Sequence, residues 1–179
     1  MAGTTTAHED EGASPKELLL EAARRNNVDL LEEVLGNKKV DADFLNHSTD
    51  GVGNTALHMA AQHGSLEVLD HLLDQEGLEV DPINRMEQET PLHKAVQYAN
   101  KEKEHGVDVV EMLIDAGADP RIRNKQKQRP IDIVDPRDTK LREILQRAEY
   151  AMTVGNDVEK RATNTIMNAK AHKTTEYRL

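Results

Sequence analysis

Two stretches decide the fold of this chain: TALHMAA at residues 55–61 and TPLHKAV at residues 90–96. They are copies of one pattern, 35 residues apart, and each is followed by a second apolar run. The second runs are LEVLDHLL at residues 66–73 and VDVVEMLI at residues 107–114. In both, apolar residues recur at i, i+2, i+3, i+6 and i+7, which predicts an α-helix with a broad apolar stripe rather than a strand.

Weaker copies of the same unit lie on both sides. Upstream, Ala22 and Ala23 match the alanine pair, and VDLLEEVL at residues 28–35 matches the second run. Downstream, Arg129-Pro130-Ile131-Asp132 takes the place of the Thr-Pro-Leu-His pattern, and residues 141–145 supply a last apolar face. Each unit is predicted to be a helix pair with an extended connector, and the four copies are assigned to residues 14–48, 49–83, 84–122 and 123–152.

The repeated pattern resembles the ankyrin repeat. The resemblance rests on T-[AP]-L-H, on a second helix ending in Leu-Leu or Leu-Ile, and on Ala116-Gly117-Ala118-Asp119 after it. The family signature is T-P-L-H-x-A with a period of about 33 residues. The resemblance covers about residues 14 to 150. It implies an all-α solenoid of about four helix-turn-helix repeats, joined by extended connectors with β-turns.

Several residues suit structural roles in such a repeat. Ser14-Pro15-Lys16-Glu17 has the residues of a capping box and predicts a helix start. A left-handed residue is useful where the first helix reverses into the second, and Asn26 stands at that position in the first repeat. The family resemblance implies that the two motif histidines hydrogen-bond to Thr and to backbone groups, and so join neighbouring repeats. The predicted structural set is Thr55, His58, Gly64, Thr90, His93 and Gly117.

Two features of the third repeat and its neighbour depart from the family pattern. A charged stretch is inserted at residues 100–105, and it is expected to lengthen the first helix of that repeat, with a mobile bulge as the alternative. Gln88 and Lys127 stand where the family usually has Gly. A non-Gly residue must therefore make each of these tight turns.

The ends of the chain are expected to differ from the repeats. In the fourth repeat, Asp135-Pro136 should cut the first helix short, and the second helix should begin at 138 or 139 and end near Met152. Residues 1–13 are acidic and low in apolar content, which predicts disorder. Residues 153–179 are mildly basic and are predicted to be mostly disordered, with a transient helix over 157–171 as the alternative.

Composition excludes several classes of protein. The 179 residues include no Cys, which excludes disulfides, thiol catalysis and thiolate metal sites. Three Tyr and one Phe are too few aromatic residues for a base-stacking nucleic-acid surface. No apolar run approaches the roughly 18 residues of a membrane span, and the polar start lacks the pattern of a secretory signal. We expect a soluble monomer of the cytoplasm, the nucleus or both.

The net charge of -10 hides a division along the chain. Residues 1–119 carry 9 basic and 25 acidic residues, a net charge of -16, whereas residues 120–179 carry 14 basic and 8 acidic residues, a net charge of +6. Such an asymmetry bears on partners and association rates rather than on fold. The acidic repeats should prefer a basic partner and make nucleic-acid binding unfavourable. The alternative is a pair of solvated surfaces with no such role.

No pattern indicates catalysis. The eight His residues include no H-E-x-x-H, the carboxylates form no recognisable acid–base pair, and Gly51-Val52-Gly53 belongs to the repeat turn rather than to a phosphate loop. We therefore predict no catalytic, cofactor-binding or metal-binding residue, and no cofactor. An enzyme with a cofactor-free site formed across the groove remains as a less favoured alternative.

The concave face of the solenoid is the expected binding surface. The resemblance assigns to it the residues after each alanine pair and those at the connector tips. Tyr98 suits an interface anchor, with partial packing against the inserted stretch as the alternative. The candidate residues on this face are Arg24, Arg25, Gln62, His63, Met86, Glu87, Glu89, Gln97 and Tyr98.

The fourth connector is a second candidate surface. Its cations stand at alternate positions, and alternation in an extended segment would place them mostly on one side. An acidic peptide, a phosphorylated segment or a nucleic-acid backbone could bind there, and a solvated turn is the alternative. The residues are Arg121, Arg123, Lys125, Lys127 and Arg129.

The leading functional prediction is a non-catalytic protein-interaction module, an adaptor or regulator whose concave face binds a partner with a basic surface. A dedicated chaperone of a basic, ribosomal-type protein is the alternative. It rests on residues 118–125, which are similar to a segment of small fungal ankyrin proteins that shield basic ribosomal proteins. That similarity covers one connector.

Overall fold

A computed structural model describes residues 12–155 as a stack of helices joined by short connectors. No strand occurs within this range, which confirms the predicted all-α class. One turn of 3-10 helix, at Pro130–Ile133, stands in the place of the first helix of the fourth unit. The helices are α1 Pro15–Arg25, α2 Val28–Leu35, α3 Ala42–His47, α4 Ala56–His63, α5 Leu66–Leu73, α6 Pro91–Ala99, α7 Lys103–Asp115 and α8 over 139–155.

The helices form two rows. Helices α1, α4 and α6 pack side by side, the 3-10 turn continues this first row, and α2, α5 and α7 form the second row against it. Each apolar stripe faces the opposite row, because burial of that stripe is the main force that holds the repeats together. The core between the rows contains the fully buried leucines Leu19, Leu57 and Leu92 of the first row and Leu31, Leu69 and Leu113 of the second.

The predicted helix start and reversals are confirmed. Ser14 caps α1: its Oγ accepts from Glu17 N–H at 3.3 Å, and the Glu17 carboxylate accepts from Ser14 N–H at 2.8 Å. Asn26, with φ of 54°, and Gly64, with φ of 67°, make the left-handed corners between the helices of the first two pairs. At Gly64 a Cβ would also overlap the ring of Tyr98, so this corner requires glycine for packing as well as for conformation.

Non-glycine residues make two of the tight connector turns, as predicted. Gly53 has φ of 91° in the connector between α2 and α4, while Gln88 and Lys127 have φ of 54° and 64° at the equivalent positions of the next two connectors. Each turn is organised by an Asp or Asn side chain for which no role was predicted. Backbone N–H groups two to five residues ahead donate to the side-chain oxygen of Asp50, Asn84 or Asn124.

The prediction for the inserted stretch is wrong in its location. Helix α6 ends at Ala99, residues 100–102 turn, and the remainder adds a first turn to the second helix, α7, which begins at Lys103. Gly106 allows this arrangement, since a Cβ at that position would overlap the backbone of Ala99. The inserted residues therefore lengthen the second helix rather than the first, because the bare face of Gly106 lets α7 approach α6 closely.

Two further elements differ from expectation. The long first connector contains α3, a short helix that begins after Asp41, whose carboxylate accepts from Phe44 N–H at 2.9 Å. Helix α8 begins at residue 139, as predicted, but it continues past Met152 to residue 155 at least.

The disorder predicted for 1–13 and for the basic tail, with its alternative helix over 157–171, lies almost entirely outside the described residues. None of the described helices is long and apolar enough to cross a membrane.

Candidate protein-interaction surfaces

The two motif histidines are structural and buried, as the resemblance implied. The Nδ1 atom of His58 accepts from Thr55 N–H at 3.1 Å, and its Nε2–H donates to the Glu89 carbonyl of the next connector at 2.8 Å. His93 repeats this pattern with Thr90 at 3.2 Å and with the Gln128 carbonyl at 3.0 Å. Both rings are therefore held neutral, with the proton on Nε2. Burial lowers the pKa of His58 to about 4 and also lowers that of His93.

The predicted binding residues of the first row are mostly exposed and not acidic. Arg24 and Arg25 are exposed and pair with Glu21 on the same helix. Gln62 and His63 are exposed at the end of α4, next to the corner with α5. The first-row helices carry four cations and two carboxylates, so this face does not present the acidic surface that a basic partner would need. The cations are Lys16, Arg24, Arg25 and Lys94.

Tyr98 packs within the chain. Its ring lies edge-on to that of His105, with centroids 5.8 Å apart, and it covers the corner at Gly64. The His105 ring in turn hydrogen-bonds to the Gly64 carbonyl at 2.7 Å. Tyr98 therefore packs against the inserted stretch, which folds back onto the corner between α4 and α5.

The predicted exposure of Glu89 at a connector tip is wrong. Its side chain pairs with Lys94 Nζ at 2.8 Å, accepts from the Gln97 amide at 2.7 Å, and the residue is only 6% exposed. The tip of this connector lies earlier in the chain, where Met86 is 54% exposed and Glu87 accepts from the Gln126 side chain at 2.7 Å. Glu89 lies inside the connector because its backbone carbonyl accepts the hydrogen bond from His58 Nε2–H.

The five cations of the fourth connector do not form one row. The connector turns at Lys127, and Asn124 N–H donates to the Gln128 carbonyl at 2.9 Å, so the extended alternation that was predicted is interrupted. Arg121 pairs with Asp119 at 2.8 Å. Arg129 pairs with Asp132 and with Glu149 of α8, both at 3.0 Å. The other three cations are exposed and have no carboxylate partner among residues 12–155: Arg123, Lys125 and Lys127.

The acidic surface lies on the second row of helices. Helices α2, α5 and α7 carry nine carboxylates and one Lys, Lys103. All nine are exposed, and none forms an ion pair with another described residue. These residues were not among the predicted binding residues, although the polar positions of the second apolar runs carried their signal. The residues are Asp29, Glu32, Glu33, Glu67, Asp70, Glu104, Asp108, Glu111 and Asp115.

A groove runs along this acidic row, between α5 and α7. Leu73 and Met112 form an apolar floor, Ala116 lies beside them, and carboxylates occupy both rims. The rim residues are Asp70 and Asp74 on one side and Asp108, Glu111 and Asp115 on the other. Among the described residues no three His, Asp or Glu side chains are grouped closely enough to hold a metal ion.

Comparison with known proteins agrees with this architecture. A family model described as ankyrin repeats, three copies, matches residues 19–124. The ankyrin repeat-containing protein YGL242C of Saccharomyces cerevisiae is 48% identical over 153 residues, which cover 82% of this chain and 84% of that protein.

Two other proteins resemble this chain over a small part of their own length. Zinc finger CCCH domain-containing protein 56 of Arabidopsis thaliana is 34% identical over 94 residues, which cover 51% of this chain and 13% of that protein. Rabankyrin-5 of Homo sapiens is 28% identical over 124 residues, which cover 65% of this chain and 10% of that protein. Ankyrin repeats are generally protein–protein interaction modules and are typically non-enzymatic. The family match over more than half of the chain and the 48% identity over most of it show that this chain belongs to the ankyrin-repeat family.

Proposed function

We propose that this chain is a non-catalytic adaptor or regulator that binds a protein partner with a basic surface. The observation that carries the proposal is the set of nine exposed carboxylates on α2, α5 and α7, which lack ion-pair partners within the described part of the chain. Charges left uncompensated on one face raise the local potential and speed the association of an oppositely charged partner. Like-charge repulsion makes nucleic acid an unfavourable ligand for the same face.

The proposed surface differs from the concave face that the sequence favoured. The first row is neutral to basic, so we assign the basic partner to the second row. The first row and the unpaired cations of the fourth connector are then available to a different ligand, such as an acidic segment. Two surfaces of opposite charge on one small protein suit an adaptor, and we place this adaptor, as a monomer, in the cytoplasm or the nucleus.

A dedicated chaperone of a highly basic protein is a second candidate. The same row of carboxylates supports it, because a basic client protein needs its positive charge screened. The chaperone provides this screening until the client binds its own ligand. The two functions differ in a measurable way. A chaperone should keep its client soluble when the two are co-expressed, whereas an adaptor should bind a partner that is already soluble alone.

The proposal is tested by comparing the proteins captured by two charge-matched variants. Asp70→Asn with Glu111→Gln neutralises two second-row carboxylates. Glu76→Gln with Glu79→Gln makes the same charge change in the connector after α5, where both residues are exposed. Proteins captured by the wild type should have high isoelectric points and elute with salt, and the second-row variant should lose them while the connector variant keeps them. Equal capture by both variants, or capture that salt does not affect, would contradict the proposal.

A further inference from the structure

The groove between α5 and α7 combines apolar and acidic surface on the acidic row. Its floor is apolar, and Leu73 and Met112 are only partly covered by the core beneath them. The apolar floor lies along the carboxyl-terminal halves of α5 and α7, away from the extra first turn at the amino end of α7.

The apolar surface continues beyond α7. A second shallow groove separates α7 from α8; Ile114 and Ile144 are half-buried in it, and Arg147 of α8 also lines it. Glu111 and Asp115 line both grooves, so they form the crest between them. Partly exposed apolar side chains rimmed by polar residues form a surface that a protein partner can cover.

The rim carboxylates have a helical spacing. Asp70 and Asp74 are four residues apart on one wall, and Asp108, Glu111 and Asp115 are three and four apart on the other. Such residues recur about every 5–6 Å along a helix surface. A second helix lying in the groove would present its own side chains at the same interval, so cations at matching positions could meet carboxylates on both walls.

We propose that the α5–α7 groove is the docking site for a basic amphipathic helix of the partner protein. Apolar side chains of that helix cover Leu73 and Met112, and its Lys or Arg side chains face the carboxylates on the two rims. Apolar burial supplies affinity, while the charges supply association rate and orientation. This inference rests on the proposed function and locates it on one part of the second row.

The test uses the full chain and a synthetic helical peptide of about four turns, with Leu on one face and Lys on the flanks. A peptide of the same composition with the Leu residues scattered around the helix is the control ligand. Affinity is measured by fluorescence anisotropy. Glu111→Lys changes the groove crest, and Glu33→Lys makes the same charge reversal on α2, outside the groove. Met112→Ala changes the floor, and Met59→Ala is its control on α4, where Met59 is likewise half-buried.

Docking in the groove predicts that Glu111→Lys weakens binding about tenfold or more and Met112→Ala several-fold, while Glu33→Lys costs less than about threefold and Met59→Ala has no effect. Thermal unfolding of each variant checks that the fold is retained. Equal losses for Glu111→Lys and Glu33→Lys, with Met112→Ala silent and both peptides bound alike, would overturn the groove and leave the basic-partner function standing. Failure of the wild type to bind either peptide or any basic protein would remove both proposals.

The chain itself offers a competing occupant, because residues 156–179 include five Lys or Arg. Deletion of these residues is therefore measured with the same peptide. An unchanged affinity supports docking of a partner helix. An affinity increased tenfold or more would show that the groove is filled by the chain's own carboxyl-terminal segment, and would overturn the assignment to a partner.

Discussion

His58 and His93 connect neighbouring repeats because one ring nitrogen accepts a hydrogen bond and the other donates one. Each Nδ1 accepts from the backbone at the start of its own helix, and each Nε2–H donates to a carbonyl of the following connector. A second proton at Nδ1 would point at the N–H of Thr55 or Thr90, where two donors would face each other. The neutral ring is thus a requirement of the link between repeats and not only a consequence of burial.

This arrangement predicts a loss of stability in mild acid. The pKa of His58 is lowered from its usual 6.5 to about 4 because the ring is buried, so the folded state resists protonation while the unfolded chain accepts it. The contribution is complete above about pH 6.5 and falls by about 3 kcal/mol as the pH drops to about 4. Urea unfolding between pH 7 and pH 4.5 measures this slope.

The variant His58→Gln removes one titrating group and should flatten the pH dependence of the free energy of unfolding. His71→Gln is the control, because His71 lies in the last turn of α5 and its ring makes no hydrogen bond within residues 12–155. A slope that is unchanged in His58→Gln, or equally reduced in both variants, would contradict the assignment.

The helix pairs show what local sequence can determine. The periodic runs at 28–35, 66–73 and 107–114 all form second-row helices, because a broad apolar stripe is stable only when it faces a core. The six-residue α3 was missed because ADFLNH is too short to show a period, and only the cap at Asp41 marks it. The insertion was assigned to the wrong helix because a charged stretch is compatible with either neighbour.

The contact of Gly106 with Ala99 explains which helix the insertion extends, and it leads to a test. Gly106→Ala should lower the free energy of unfolding by about 2 kcal/mol, since overlap with the Ala99 backbone outweighs the roughly 1 kcal/mol that Ala gains in helix propensity. Gly51→Ala is the control, as its added Cβ meets nothing within 4 Å. A gain in stability for Gly106→Ala in urea unfolding would show that α7 packs less closely on α6.

In the whole molecule, acidic and basic residues are separated between the two rows of helices rather than along the chain. In the sequence the charge division separates residues 1–119 from 120–179, whereas in the structure it separates one row of helices from the other. The first-row helices carry four cations and two carboxylates, and the second-row helices carry nine carboxylates and one cation. The proposed partners are therefore distinguished by the face that they approach rather than by the repeat that they contact.

Repulsion within the second row should make stability depend on salt. Raising NaCl from about 0.01 M to about 0.3 M should increase the free energy of unfolding by about 1 kcal/mol, because the Debye length falls from about 30 Å to below 10 Å. Glu33→Lys relieves part of the repulsion and should be more stable than wild type at low salt, with a smaller salt response. A wild-type stability that falls as salt is added would contradict the prediction, and urea unfolding at fixed pH measures it.

The sequence by itself determined the family, the helix pairs and the non-glycine turns at Gln88 and Lys127, because these depend on periodicity and on residues close together in the chain. Only the tertiary structure decided where the charged residues lie. Glu89 is buried because its connector is drawn against His58, and Arg121 and Arg129 are neutralised by carboxylates. The open acidic groove exists because α5 and α7, far apart in sequence, stand side by side, and exposure depends on such neighbours rather than on the order of residues.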